Sequence, residues 1–242
     1  ISMMENRLTP EEVRQNLREI RDRIAEAARS SGRDPGEVRL MAVTKTVPPE
    51  LVNIAWEEGV RLFGENRAQE LLEKADRYAF GPEEIHFIGT LQTNKVRQIL
   101  GKVSCIQSVN SLRLAEEIQR RAVALGITVD VLLELNIGGE ESKTGMAYSQ
   151  LEKILEELAS FSALQVKGLM CIPPFGKNSL ETEGYFERMH KIFVDIRDKK
   201  IDNISMETLS MGMTGDYELA VRQGSNIVRI GTGIFGKRNY PA

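Results

Sequence analysis

Lys45 stands near the end of the apolar run "LMAVTKTVPP", and Pro48 and Pro49 force a turn directly behind it. Alternation along a strand puts Met41, Val43 and Lys45 on one face and Leu40, Ala42 and Thr44 on the other. With the first face turned inward, the amine projects beyond the strand end. A lysine partly desolvated in such a place loses basicity and can form a Schiff base with an aldehyde. A lysine that merely snorkels from a strand end is the commoner alternative.

A second cluster lies near the far end of the chain. In "NIVRIGTGIFGKRNYPA", Gly231, Gly233 and Gly236 show the G-x-G-x-x-G spacing of dinucleotide sites, behind an apolar run at 227–230. That spacing needs a following helix, a second strand and an acidic residue about 20 positions further on. Six residues follow Gly236 in this sequence, so a nicotinamide or flavin site is not expected.

The elements that position these residues follow from periodicity. Residues 9–31 read as a helix: Thr9 and Glu12 form a capping box, Pro10 suits the first turn, and Gly32 ends it. Val13, Leu17, Ile20, Ile24 and Ala27 give it one apolar stripe. Strands are expected at 38–45, 61–66, 85–89, 103–109, 128–137, 164–172, 204–212 and 226–231. Helices are expected at 49–58, 67–79, 93–100, 111–125, 149–160, 179–199 and 215–223. Eight apolar strands alternating with amphipathic helices predict an α/β fold, a single (β/α)8 TIM barrel with an extra N-terminal helix, spanning 1–242 as one domain. A doubly wound open sheet is the structural alternative.

Barrels of this kind carry their sites at the C-terminal strand ends, with phosphate bound after strands seven and eight. Those ends supply Lys45, Glu65 and Asn66, Gln107 and Ser108, Asn136 with the nearby Lys143, Ser210 to Gly212, and Arg229 to Gly233. Ser210 and Thr232 offer hydroxyls, and Gly212, Gly231 and Gly233 let backbone N–H groups approach an anion. Thr214 and Gly215 open a helix whose first N–H groups favour the same charge. The same glycines would also relieve crowding where a barrel closes. An amine opposite an anion cradle suits a phosphorylated aldehyde, with pyridoxal 5′-phosphate the obvious candidate. Arg229 shares a strand face with Gly231 and can donate to a pyridine nitrogen; an interior ion pair is its bland alternative.

Composition narrows the partners. The 242 residues are 41% hydrophobic and 28% charged, with a net charge of −3, which gives no electrostatic reason to expect nucleic acid. No apolar stretch approaches the ~18 residues of a membrane span. Cys105 and Cys171 are too few for a disulfide framework or a metal site, and read as buried side chains in a reducing cytoplasm. With His86 and His190 the only histidines, a serine-histidine triad and a two-histidine zinc site are both disfavoured.

The segments "AVTKT", "FGENRAQE", "HFIGTLQTNK", "IQSVNS", "LNIGGEESKTG", "GLMCIPP" and "LSMGMTGDYELAVRQGSNIVRIGTGIFG" closely resemble the pyridoxal phosphate homeostasis protein family, in family order and over nearly the whole chain. That family is a relative of the alanine racemase barrel without its second, β-rich domain. The resemblance implies that Lys45 carries the cofactor as a Schiff base, that Asn66 borders the ring and that Arg229 faces the pyridine nitrogen. It also implies that Ser210, Gly231 and Thr232 hold the phosphate. The family commonly has serine where this chain has Thr214, so the hydroxyl is kept. "LQTNK", with Asn94 and Lys95, is family-typical but has no derivable role.

The function implied is cofactor homeostasis in the cytoplasm, with delivery to apo-enzymes, by a monomer that is not itself a catalyst. The competing readings are an amino-acid racemase or decarboxylase of the same fold, and a sugar-phosphate isomerase using Lys45 as base. Racemases of this fold take their second base, a tyrosine, from the domain that the family lacks.

Overall fold

The computed structural model describes residues 7–139 and 145–237; Lys143 lies outside them. All eight expected strands form: β1 (Arg39–Val43), β2 (Phe63–Glu65), β3 (Ile85–Phe87), β4 (Cys105–Val109), β5 (Val129–Leu135), β6 (Leu164–Cys171), β7 (Ile204–Ser210) and β8 (Ile227–Ile230). They are parallel and close into a barrel in sequence order, with β8 returning to β1 so that Met41 lies opposite Arg229. Most strands are shorter than their apolar runs. Lys45 and Asn66 have left the ladder and stand just past β1 and β2 at the mouth.

The helices are α1 (Pro10–Ser30), α2 (Pro49–Glu57), α3 (Ala68–Lys74), α4 (Val96–Ile99), α5 (Leu112–Leu125), α6 (Tyr148–Leu158), α7 (Ser179–Lys199), α8 (Tyr217–Arg222) and α9 (Thr232–Phe235). The helix expected at 67–79 breaks into α3 and a 3-10 turn at 75–77, and that at 93–100 opens with a 3-10 turn before α4. The short α9, directly behind β8, had no signal of its own. In α1 the capping box joins Thr9 and Glu12 reciprocally, and the expected stripe is buried.

The period-2 pattern sorts the apolar side chains into two shells. Outward-facing residues such as Phe63, Ile106, Val131 and Leu209 pack beneath the helices. The inner face of the barrel carries Met41, Val43, Leu62, Ile88 and Ile227 in one cluster and Cys105, Leu132 and Met170 in another. Met41 and Val43 are thus on the inner face, as alternation with Lys45 requires. Among the described residues no helix is long and apolar enough to cross a membrane, and both cysteines are free and buried.

Candidate functional site

A cavity of about 600 Å³ opens at the C-terminal ends of the strands. Lys45, Asn66, Arg229, Gly231 and Thr232 all line it, so the strand-end reading brings five of its seven residues to one volume. Its apolar walls include Val43, Ile88 and Ile172. The loop after β3 passes close to Asn66: a Cβ on Gly89 would fall on the Asn66 carbonyl oxygen. The Asn66 amide oxygen is buried without a hydrogen-bond partner among the described residues and is available to a donor in the cavity.

The anion cradle comes from the loops after β7 and β8. Thr214 and Gly215 line the cavity beside Gly231 and Thr232. The Thr214 hydroxyl accepts the Gly233 N–H at 3.1 Å and sits 3.3 Å from the Thr232 hydroxyl, stitching the two loops together. Nothing lies within 4 Å of where a Cβ on Gly215 would project. Asp216 braces the first loop by accepting the Met213 N–H at 2.7 Å. Burial pushes its carboxyl above the usual range, against the pull of that bond and of Arg229.

Ser210 and Gly212 stand apart from the cavity. Gly212 has φ 103°, and its Cβ would come within 2.7 Å of Ala220 Cβ, so the close approach it permits is to α8. Ser210 is fully buried in the lumen, where its hydroxyl donates to Gln107 Oε1 at 2.6 Å and accepts from Arg229 at 2.7 Å. Gln107 in turn places its amide nitrogen 2.9 Å from His86 Nδ1. A second Arg229 nitrogen donates to the Cys171 carbonyl at 2.9 Å.

The chain has one consistent direction. Arginine can only donate, so Ser210 accepts from it and spends its proton on Gln107. The Gln107 amide is then oriented to donate to His86, which must be the neutral tautomer with a bare Nδ1. Burial, aided by Arg39, pushes the His86 pKa down to about 3, in agreement. Burial also lowers the Arg229 pKa, while Cys171, Glu134 and Asp216 raise it again; a guanidinium stays charged regardless. His86 and Gln107 carried no motif of their own. Gln107 stood among the strand ends without a role, and the inward parity of "IHFIG" and "SCIQSV" was the signal that could have paired it with His86.

A smaller cavity of about 350 Å³ lies at the opposite end of the strands, beside Arg21, Arg39 and Arg61. Two of those guanidiniums are engaged with carbonyls near the end of α2: Arg21 donates to Glu58 O, and Arg61 to Trp56 O and Val60 O. The amine and the hydroxyls are all at the other mouth.

An amine, a guanidinium and hydroxyls as donors, with the Asn66 amide oxygen as acceptor, around apolar walls fit a flat, phosphorylated aldehyde. The sequence matches the family described as alanine racemase, N-terminal domain, over residues 12–239. It is 39% identical over 226 residues to the pyridoxal phosphate homeostasis protein of Aquifex aeolicus, covering 93% of this chain and 98% of that one. Among solved structures, an unknown protein from Bifidobacterium adolescentis superposes with a TM-score of 0.86 at 38% identity, covering 93% of this chain and 95% of that one. PipY of Synechococcus elongatus, solved with pyridoxal phosphate bound, gives 0.76 at 32% identity, covering 88% of this chain and all of that one. By sequence and by fold, this chain belongs to the pyridoxal phosphate homeostasis protein family.

Proposed function

We propose that this chain binds pyridoxal 5′-phosphate at the barrel mouth and serves its homeostasis as a carrier, releasing it to apo-enzymes. The observation that carries the reading is one cavity shared by the Lys45 side chain, the Arg229 guanidinium and the Thr214 and Thr232 hydroxyls. When bound, the cofactor supplies an aldehyde that captures primary amines and an electron-poor ring. Lys45 presents the amine. Thr214, Thr232 and the backbone about Gly215 and Gly231 bind the phosphate. Arg229, aimed by Ser210 and the Cys171 carbonyl, donates to the ring nitrogen and disfavours protonation there. Asn66 borders the ring, and Val43, Ile88 and Ile172 exclude water from its faces.

The same geometry argues against a racemase. A cation at the ring nitrogen weakens the electron sink, and two-faced proton transfer needs a second base. Among the described residues no tyrosine or histidine lines the cavity, and its one carboxylate, Asp216, is engaged with the Met213 N–H.

The test is to add pyridoxal 5′-phosphate to the purified protein, follow absorbance near the visible edge, reduce with borohydride and map the peptides. The expected result is covalent cofactor on Lys45. Label on Lys177 or Lys95, with Lys45 unmodified, would overturn the assignment.

A further inference from the structure

Thr46, the residue after Lys45, has φ 61°. Among the described residues, the other non-glycine positive φ values belong to Lys200, which caps α7, and to Asn203, a type that tolerates this region. A β-branched side chain at positive φ is a true outlier and persists only where its surroundings hold it. The Val47 N–H closes onto the Thr44 carbonyl at 2.9 Å, so residues 44–47 form a turn with Lys45 second and Thr46 third. Positive φ at the third position is the pattern of a type II turn, where glycine is the ordinary choice.

The holding contacts come from α3. Glu70 Oε2 accepts the Thr46 N–H at 2.8 Å, and Lys74 Nζ donates to the Val47 carbonyl at 2.6 Å. Glu70 and Lys74 lie one helical turn apart and form a short ion pair with each other. Both side chains are 14% exposed, so little water competes with them. The Thr46 carbonyl is taken by Arg7 at 3.0 Å. The "FGENRAQE" segment thus ends on a carboxylate that reaches back to the strand before it.

We propose that Glu70, braced by Lys74, is a positioning residue for Lys45: it holds the Thr46 N–H, keeps the turn in its strained form and so aims the amine into the cavity. The inference rests on the reading of Lys45 as the cofactor-bearing amine.

The experiment compares wild type, Glu70→Gln, Glu70→Ala, Lys74→Met and the double variant Glu70→Ala/Thr46→Gly. Three readouts are taken: hydrogen exchange at the Thr46 amide without cofactor, the rate at which pyridoxal 5′-phosphate is trapped on Lys45 by borohydride, and affinity for pyridoxine 5′-phosphate. That last probe has no aldehyde and reports the rest of the cavity.

Glu70→Ala should speed Thr46 exchange and slow trapping at Lys45, each by tenfold or more, with pyridoxine 5′-phosphate affinity within threefold of wild type. Glu70→Gln keeps an acceptor and should stay near wild type. Glycine at 46 favours the turn without support and should restore trapping in the double variant. Unchanged trapping in Glu70→Ala, equal loss of trapping and of pyridoxine 5′-phosphate binding, or no rescue by glycine would each overturn the proposal. Should Glu70→Ala not fold, Lys74→Met, which removes the brace and the Val47 contact but leaves Glu70, takes its place with effects in the same direction and smaller, and unchanged trapping there would overturn the proposal. If wild type is not labelled at Lys45, the cofactor assignment fails, while Thr46 exchange still reports on the clamp.

Discussion

The Arg229 guanidinium donates to Ser210 Oγ at 2.7 Å, and the Ser210 proton is thereby committed to Gln107. Four strands are tied together in this way: β3 through His86, β4 through Gln107, β7 through Ser210 and β8 through Arg229. A hydroxyl so engaged aims a neighbour and has no proton left for an anion. Thr214 and Thr232, whose hydroxyls lie 3.3 Å from each other, are among the donors that do line the cavity.

Ser210→Ala and Thr232→Ala should therefore fail in opposite ways. Ser210→Ala strands Gln107 Oε1 and one Arg229 N–H inside the lumen, at about 1–3 kcal/mol for each buried group left unpaired. Its melting temperature should fall by about 2–4 °C per kcal/mol. Thr232→Ala should melt as wild type does but bind pyridoxal 5′-phosphate roughly tenfold more weakly, the loss of one charge-assisted bond. Thermal melts and fluorescence titration check the crossing. Parallel losses in both variants would return Ser210 to the phosphate.

The two glycines of the β7–α8 loop should separate likewise. Gly212→Ala combines positive φ with a 2.7 Å approach to Ala220, and should destabilise the fold by about 1–3 kcal/mol. Gly215→Val points into open space in the cavity, so it should leave the melting temperature unchanged while obstructing cofactor binding. Denaturant titration and cofactor titration of both variants measure the difference.

These pairs mark where the sequence was legible. The inward parity of Met41, Val43 and Lys45 follows from a period of two and needs no knowledge of partners. A glycine does not announce whether its Cβ would project into an open cavity, as at Gly215, or against the chain's own helix, as at Gly212. The role of Ser210 was hidden because Gln107 lies 103 positions away, and only barrel closure brings the two together. Thr46 was invisible for a different reason: threonine in a turn gives no sign that its φ is positive.

His86 should make the fold acid-sensitive. Its folded pKa of about 3 lies below the ~6.5 of an unfolded histidine, so the unfolded chain takes up the proton first. The stability contributed by the neutral ring is fully present above about pH 6.5. It is lost as pH falls toward 3, with a slope of up to about 1.4 kcal/mol per pH unit. His86→Gln, which keeps an acceptor for Gln107, should flatten this limb in denaturant titrations between pH 7 and pH 4. An unchanged slope would show that the acid sensitivity lies elsewhere.

Glu65 should act with the opposite sign. It ends β2 facing outward, accepts the Tyr78 hydroxyl at 2.6 Å on Oε1, and leaves Oε2 buried without a partner among the described residues. Burial pushes its carboxyl above the usual range, although the Tyr78 hydroxyl pulls it back. The folded state therefore keeps a proton that the unfolded chain releases near pH 4.3. This contribution is present below that pH and is lost as pH rises through the folded value. Glu65→Gln should match wild type near pH 4 and melt higher at pH 7–8. A lower melting temperature for Glu65→Gln at pH 8 would refute the neutral-acid reading.

Holo-protein should not turn over amino acids at an enzyme's rate. Racemisation would need bases on both faces of the bound ring system, and Lys45 can serve only one. The described tyrosines, candidates for the other, are placed elsewhere. Tyr78 is bound to Glu65 outside the barrel, and Tyr217 is buried in α8. Tyr148 and Tyr185 border a different cavity, beside Ile137 and Arg188, and Tyr240 lies outside the described residues. Asp216 reaches the cavity but is held by the Met213 N–H. With Arg229 at the ring nitrogen as proposed, decarboxylation would meet the same weakened sink, because the cation would oppose the ring protonation that draws electrons away from the reacting carbon. Incubation of holo-protein with alanine, serine and lysine, followed by chiral and carbonyl analysis, should give no products beyond those of free cofactor. Turnover in the range of about 1–10³ s⁻¹ would promote the racemase or decarboxylase reading over the carrier. If that activity vanished in Asp216→Asn, Asp216 would be the missing base.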